Sequence, residues 1–205
     1  MMVKEEKTLG TKDDIETLID MAVKLGATEA AFVPLSEVKA DQKFADFCRE
    51  PRCPNYGAAA SCPPYVTGPA EFLEKRNNAA YALLYKMDVP AEIMMSSDRI
   101  DIYRLLHEIS AELERNAIRM GYPQSAAYAG GSCKNLFCRE ENDCLVVSKK
   151  GVCRHPESAR PSMSGFGVNV MALCKSAGWH MEKITKKTKA DEVKTAMAIG
   201  LLLII

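Results

Sequence analysis

Two stretches predicted to be irregular, the first of them rich in proline and glycine, carry seven of the eight cysteines in this chain of 205 residues. The spacings are Cys48-x4-Cys53-x8-Cys62 in the first stretch and Cys133-x4-Cys138-x5-Cys144-x8-Cys153 in the second. We call them the first cysteine loop (residues 48–69) and the second cysteine loop (residues 132–160). Ordering a residue costs about 1–2 kcal/mol of backbone entropy, and such loops bury little apolar surface in return. A bound metal centre is one way to order them.

Whether the clustered cysteines form disulfides or bind a metal depends on the redox state of the protein's compartment. Residues 1–8 are charged and contain no apolar segment, so we expect no export signal and a cytoplasmic location. In a reducing cytoplasm, clustered cysteines are more often metal or redox groups than disulfides. Residues 196–205 are apolar but reach about half a membrane span, which predicts no membrane association. Lys+Arg 27 balance Asp+Glu 27, and this neutrality argues against a nucleic-acid partner.

Apolar periodicity and turn residues predict the secondary structure. Helices are predicted at residues 11–25, 41–47, 69–76, 98–120 and 163–177. Strands are predicted at residues 28–33, 81–89, 125–129, 179–184 and 196–205. The last strand is apolar throughout, which predicts a central position covered on both faces. We therefore expect one α/β domain over residues 1–205, with a mixed β-sheet of about five strands packed with helices and two cysteine-rich loop excursions.

The cysteine spacings favour an iron–sulfur cluster over zinc. Structural zinc sites use ligands two to four residues apart in tight pairs, and no Cys-x2-Cys occurs here. The four thiols of the second loop complete the ligation of one [4Fe–4S] cluster. The first loop supplies only three, so its fourth ligand is open: a non-cysteine group, solvent or Cys174. Zinc, or no metal, at the first loop also stays open.

Two motifs resemble a known family. The first is Cys48-Arg-Glu-Pro-Arg-Cys-Pro-Asn-Tyr-Gly57 followed by Ser61-Cys-Pro-Pro64, and the second is Cys153-Arg-His-Pro-Glu157 with Ala159-Arg-Pro-Ser-Met163. Both are similar to a prokaryotic family of predicted metal-binding proteins, domain of unknown function 2284. The resemblance implies metal binding by all seven loop cysteines, and the family's occurrence in anaerobes favours iron–sulfur chemistry. The chain departs from the family at residues 167–170, where the family commonly has Gly-Ile-Asp-Val, and in the spacing of the first cysteine pair of the second loop.

Two further residues are candidates for cofactor binding. His155 follows a predicted ligand and can bind the metal or donate a hydrogen bond to a cluster sulfur. Arg160, with Arg154 and Ser162, lies at the start of a predicted helix, where an anion is favoured. A simple ion pair with a carboxylate is the alternative for Arg160. We expect His107 at the surface or at its boundary with the core, and Cys174 in the core.

The sequence thus predicts an iron–sulfur protein with one or two [4Fe–4S] clusters, acting in electron transfer or as an accessory to an anaerobic enzyme system. A redox protein is the expected partner. Two alternatives stay open: a zinc-stabilised binding module, and an enzyme that uses an open iron at the first cysteine loop, with a solvent pocket beside Cys62.

Overall fold

A computed structural model describes residues 12–49, 53–182 and 192–205. The α-helices are α1 (Lys12–Lys24), α2 (Gln42–Ala45), α3 (Pro69–Asn78), α4 (Ala91–Met95), α5 (Arg99–Arg119), α6 (Cys133–Phe137) and α7 (Val170–Ser176). Short 3-10 helices occupy Leu35–Glu37, Asp46–Cys48 and Met163–Phe166. The strands are β1 (Glu29–Val33), β2 (Tyr81–Pro90), β3 (Ala126–Tyr128) and β4 (Thr195–Ile204).

The four strands form one sheet in the order β1-β2-β4-β3. Every neighbouring pair is antiparallel, with Leu84 opposite Ala31 on one side and Leu201 on the other. The expectation of a mixed sheet is therefore wrong. Alternating helices and strands suggested crossover connections, but alternation does not fix strand direction, and here each strand runs opposite to its neighbours. The central position predicted for the last strand is confirmed, since β4 lies between β2 and β3.

Side chains alternate across β2 and β4 to build two cores. On one face Leu83 and Leu202 pack with the apolar stripes of α1 and α5. On the other face Leu84 and Leu201 pack with α3, α7 and the 3-10 helix at Met163–Phe166. The result is a sheet covered by helices on both faces, as the α/β prediction required.

Two predicted elements differ from the structure. The predicted helix at residues 163–177 is broken at Gly167, whose φ of 70° places it in the left-handed region and ends the 3-10 helix. A Cβ there would lie 2.3 Å from the backbone oxygen of Asp41, so the chain reverses against a neighbouring segment. A strand was also predicted at residues 179–184, but residues 179–182 form no strand. Its last two residues, and the lysines at 183–189, lie outside the described residues.

The sheet edge ties the ends of the second cysteine loop together. Ala129, just after β3, accepts a hydrogen bond from the N–H of Met163 (3.1 Å) and donates one to Pro161 (2.9 Å). The N–H of Ser162 also donates to the carbonyl of Ser61 in the first loop (3.4 Å). The fold therefore brings both cysteine loops to the same edge of the sheet.

Among the described residues, no helix combines the length and apolar character that a membrane span needs.

Candidate metal centre

The first cysteine loop is held by a series of turns. Cys48 ends the 3-10 helix Asp46–Cys48, and its carbonyl accepts a hydrogen bond from the N–H of Cys53 (3.0 Å). The N–H of Cys62 donates to Ala59 (3.0 Å), which leaves the Cys62 side chain buried with 6% exposure. Burial raises the pKa of the Cys48 thiol, and the nearby Cys53 and Cys62 raise it further. The three thiols of this loop are thus close enough to influence one another's charge.

The second cysteine loop begins with a short helix that the sequence analysis did not predict. Cys133 is the first residue of α6, and Cys138 follows its end with a backbone hydrogen bond to Lys134 (3.1 Å). The ammonium group of Lys134 donates to the carbonyls of Cys138 (2.6 Å) and Glu141 (2.5 Å). Arg104 of α5 donates twice to the carbonyl of Leu136 and so anchors α6 on the long helix.

Three contacts join the two loops. The hydroxyl of Ser61 shares a hydrogen bond with the thiol of Cys133 (3.0 Å). The thiol of Cys62 donates to the hydroxyl of Ser132 (3.2 Å). The backbone of Ala60, in the first loop, lies close enough to Cys144 in the second to lower the pKa of its thiol. The cysteines therefore form one continuous group and not two separate sites.

The surroundings of the thiols shift their pKa values in different directions. Burial raises the pKa of Cys133 to about 11, despite its hydrogen bond with Ser61. Burial also raises the pKa of Cys138, against the opposing effect of Arg154. For Cys144 burial is outweighed, because the backbone N–H groups of Val147, Ala60 and Val146 together with Arg154 lower its pKa below the ordinary value. Cys144 is consequently the thiol that most readily supplies a thiolate.

The thiols are close but do not converge on a point. All eight cysteines are free of disulfides. Within the described ranges, no three His, Cys, Asp or Glu side chains are arranged to hold a single metal ion. A cavity of about 340 Å³ lies against Cys133, Cys144 and Cys153, and Ser61 of the first loop also lines it. We call it the thiol cavity.

The solvent pocket predicted beside Cys62 stays a prediction: Ser61, the residue before it, lines the thiol cavity, but Cys62 itself does not. Cys62 is buried against Ser132, and the thiol cavity is lined by cysteines of the second loop.

His155 and Arg160 both lie at the edge of the thiol group. The ring of His155 stacks on Phe137 at 5.5 Å, and its backbone N–H donates to the sulfur of Cys153 (3.4 Å). Arg160 lines the thiol cavity, but its guanidinium pairs with Glu114 at 2.8 Å. That ion pair is the alternative left open by the sequence. A role for either residue in cofactor binding stays a prediction.

The arginines predicted to gather at a helix start are engaged elsewhere. Arg154 pairs with Glu141 at 3.0 Å, and Ser162 makes no side-chain capping hydrogen bond. The arrangement at residues 162–166 thus gives no support to the anion site predicted there.

A stripe of polar residues on α5 contacts the segments around the second cysteine loop. The sequence analysis did not predict this stripe. His107, Ser110 and Glu114 follow the spacing i, i+3, i+7, which places them on one face of the helix beside its apolar stripe. His107 is fully buried, so its predicted position at the surface or its boundary is wrong. Its ring contacts Gly130 before the loop and Arg160 at its end (2.9 and 3.0 Å). The recurrence of polar residues at helical spacing was the signal available in the sequence. Cys174 is fully buried in the core, as predicted.

Comparison with protein families gives one match. Residues 31–204 match the family described as "Predicted metal-binding protein (DUF2284)". The chain belongs to this family. The match extends over both cysteine loops and all four strands except the first two residues of β1. Comparisons with curated proteins and with solved structures gave no match.

Proposed function

We propose that the protein is an iron–sulfur protein. In this proposal Cys133, Cys138, Cys144 and Cys153 hold a [4Fe–4S] cluster, and Cys48, Cys53 and Cys62 hold part of a second centre. A bound cluster supplies reversible one-electron chemistry. The function is electron transfer with a redox protein in the cytoplasm, or support of a larger anaerobic enzyme system. The supporting observation is that two loops joined by hydrogen bonds carry seven cysteines free of disulfides, with Ser61 at the sulfur of Cys133 and the N–H of His155 at the sulfur of Cys153.

The donors suit negatively charged sulfur. The backbone groups of Val147, Ala60 and Val146 lie close enough to Cys144 to lower its pKa, and the N–H of His155 donates to the sulfur of Cys153 (3.4 Å). Such donors favour the thiolate form and raise the reduction potential of a cluster bound to it. The guanidinium of Arg154 adds a positive charge that acts on both Cys138 and Cys144. It is fixed by Glu141 and by the carbonyl of Asp143.

The spread of the thiols favours a cluster over a single zinc ion. Tetrahedral zinc with Zn–S bonds of about 2.3 Å draws its ligands onto one point. The loop thiols influence one another's pKa, and this influence extends over both loops. A cluster offers separate iron atoms as attachment points and tolerates the wider spread. The loop gaps of four, five and eight residues agree with this.

Metal analysis of anaerobically purified protein tests the proposal. We expect a brown protein with iron and acid-labile sulfide in equal amounts, about four of each for one filled cluster. Electron paramagnetic resonance after reduction should give a cluster signal. A Cys144→Ser, Cys153→Ser double variant removes two proposed ligands and should lose most of the iron and sulfide. A colourless protein that contains zinc and no sulfide, even after anaerobic reconstitution, would overturn the proposal.

A pair of cysteine variants separates metal binding from packing. Metal binding to a loop that is otherwise poorly ordered adds directly to stability. We therefore expect Cys138→Ala to abolish most of the rise in melting temperature that reconstitution produces. Cys174→Ala removes a buried core thiol outside both loops and should lower the melting temperature with and without metal equally. Calorimetry on both variants, before and after reconstitution, makes the comparison. An undiminished metal-dependent rise in Cys138→Ala would contradict the assignment.

A further inference from the structure

A second cavity lies on the other side of the first cysteine loop. Its volume is about 480 Å³. Asn55 of the first loop forms one wall, Arg99 and Tyr103 of α5 form another, and Ser132, Asn135 and Arg139 at the start of the second loop close it. We call it the arginine cavity. Pockets that bind small molecules have volumes of roughly 300–1,000 Å³.

The charge of this cavity is positive. Arg99 and Arg139 line it, and no aspartate or glutamate is among its described lining residues. Within the described part of the chain, neither arginine has a carboxylate at ion-pair distance, whereas most other arginines have one. Among the described residues, the guanidinium of Arg99 donates to the carbonyl of Ser96. Two uncompensated guanidinium groups in one concave site attract an anion, and their planar forks match phosphate or carboxylate oxygens.

The part of the wall formed by Tyr103 and Leu136 is held in place by contacts with the rest of the protein. Tyr103 packs over Gly130 and Gly131 so closely that a Cβ on Gly130 would lie 2.8 Å from its ring. Leu136, which also lines the cavity, is held by the two hydrogen bonds from Arg104. The amides of Asn55 and Asn135 add neutral donors and acceptors beside the arginines. A preformed site of this kind loses little freedom on binding.

One residue connects the arginine cavity to the thiols. Ser132 lines the cavity, and its hydroxyl accepts the hydrogen bond from the thiol of Cys62. Ser132 also directly precedes Cys133, and Asn55 lies two residues after Cys53. A molecule in this cavity would therefore lie beside the first cysteine loop without occupying the thiol cavity.

We infer that the arginine cavity binds a small organic or inorganic anion, with Arg99 and Arg139 holding its phosphate or carboxylate oxygens. A concave site of this volume encloses a small molecule, whereas an acidic protein partner would need an extended surface. The inference does not depend on which metal the cysteines hold, since neither arginine is in the proposed ligand set.

Calorimetric titration of the anaerobically purified full chain tests this inference. Sodium pyrophosphate and sodium citrate serve as the phosphate and carboxylate probes, and the one that binds more tightly identifies the headgroup. We expect saturable binding of at least one probe, weakened at least about tenfold in the Arg99→Gln, Arg139→Gln double variant, because each lost arginine removes a charge-assisted hydrogen bond. Metal content is measured on the same samples, so failure of anion binding is distinct from failure of metal binding.

Arg119→Gln is the matched control. It also replaces an arginine by glutamine, at the other end of α5, where Arg119 is exposed and pairs with Glu112 at 3.3 Å. We expect it to bind the probe like the unmodified protein. Three results would overturn the inference: no saturable binding of either probe, affinity unchanged in the double variant, or an equal loss of affinity in Arg119→Gln.

Discussion

Replacing Gly200 with alanine is expected to lower the free energy of unfolding by about 3 kcal/mol or more, the upper range for an overpacked core. Gly200 lies in β4 directly opposite Tyr85 of β2. A Cβ at position 200 would lie 2.1 Å from one ring carbon of Tyr85 and 2.4 Å from another. The ring is fully buried and cannot move aside easily, because its hydroxyl donates to Ser110 (2.7 Å) on α5. One methyl group would therefore separate the sheet from its longest helix.

Chemical denaturation of Gly200→Ala measures this effect, with Gly151→Ala as the control. Gly151 is exposed, and a Cβ there would meet only Leu145 at 3.6 Å, an ordinary contact. The double variant Tyr85→Ala, Gly200→Ala removes the ring that the new methyl group would strike. Its destabilisation should be clearly smaller than the sum of the two single effects. Additive effects, or a Gly200→Ala variant as stable as Gly151→Ala, would show that the clash is not the cause.

The elements that a single apolar stripe defines were predictable from the sequence. Helix α5 was expected at residues 98–120 and spans Arg99–Arg119. Strand β4 was expected at residues 196–205 and spans Thr195–Ile204, and its uniform apolarity also gave its central place. In these segments the local apolar pattern and the tertiary packing favour the same structure, so the pattern alone is enough to predict the element and its bounds.

Features set by contacts distant in sequence were not predictable. The break at Gly167 depends on Asp41, which lies more than a hundred residues earlier in the chain. Strand direction likewise depends on how the loops return to the sheet, and periodicity does not record that. The seven candidate ligands could be named from their spacing. Their joining through Ser61 and Ser132 could not, because a hydroxyl beside a cysteine is common and only the fold brings one loop against the other.

Replacing His107 with alanine is expected to lower the free energy of unfolding by about 3 kcal/mol, through a cavity and two lost buried hydrogen bonds. Nδ1 of the ring accepts from the backbone N–H of Arg160 (3.0 Å), so the proton lies on Nε2, which donates to the carbonyl of Gly130 (2.9 Å). These two backbone groups flank the second cysteine loop. The ring therefore holds the loop's two ends at a fixed separation from within the core.

Metal retention distinguishes a His107 that holds the two ends of the loop from a His107 that only fills space in the core. Without the imidazole the ends of the loop can separate, so His107→Ala should also retain less metal than the unmodified protein at equal folded fraction. His107→Gln keeps a donor and an acceptor and should recover part of both losses. His180→Ala is the control, since His180 is exposed. Metal analysis and denaturation of the three variants make the measurement. Normal stability and normal metal retention in His107→Ala would contradict the role.

The same residue predicts how stability depends on pH. Burial lowers the pKa of His107 from 6.5 to about 4; the hydrogen bond to Gly130 opposes this fall, and the charge of Arg160 adds to it more weakly. Between these values the unfolded chain binds a proton at this histidine and the folded chain does not. By linkage, the free energy of unfolding falls as the pH is lowered from about 6.5 to about 4, by up to about 3 kcal/mol from this residue.

Denaturation of chelator-treated protein at several pH values between about 4 and 7 measures this slope without a contribution from metal loss. We expect the unmodified protein to lose stability more steeply on acidification than His107→Ala, which has no group to protonate at this position. Carboxylates that titrate in the same range are common to both proteins and cancel in the difference. Equal slopes would mean that the ring takes up its proton over the same pH range in the folded and the unfolded chain. Once protonated, Nδ1 could not accept from Arg160, and the link between the two ends of the cysteine loop would be lost.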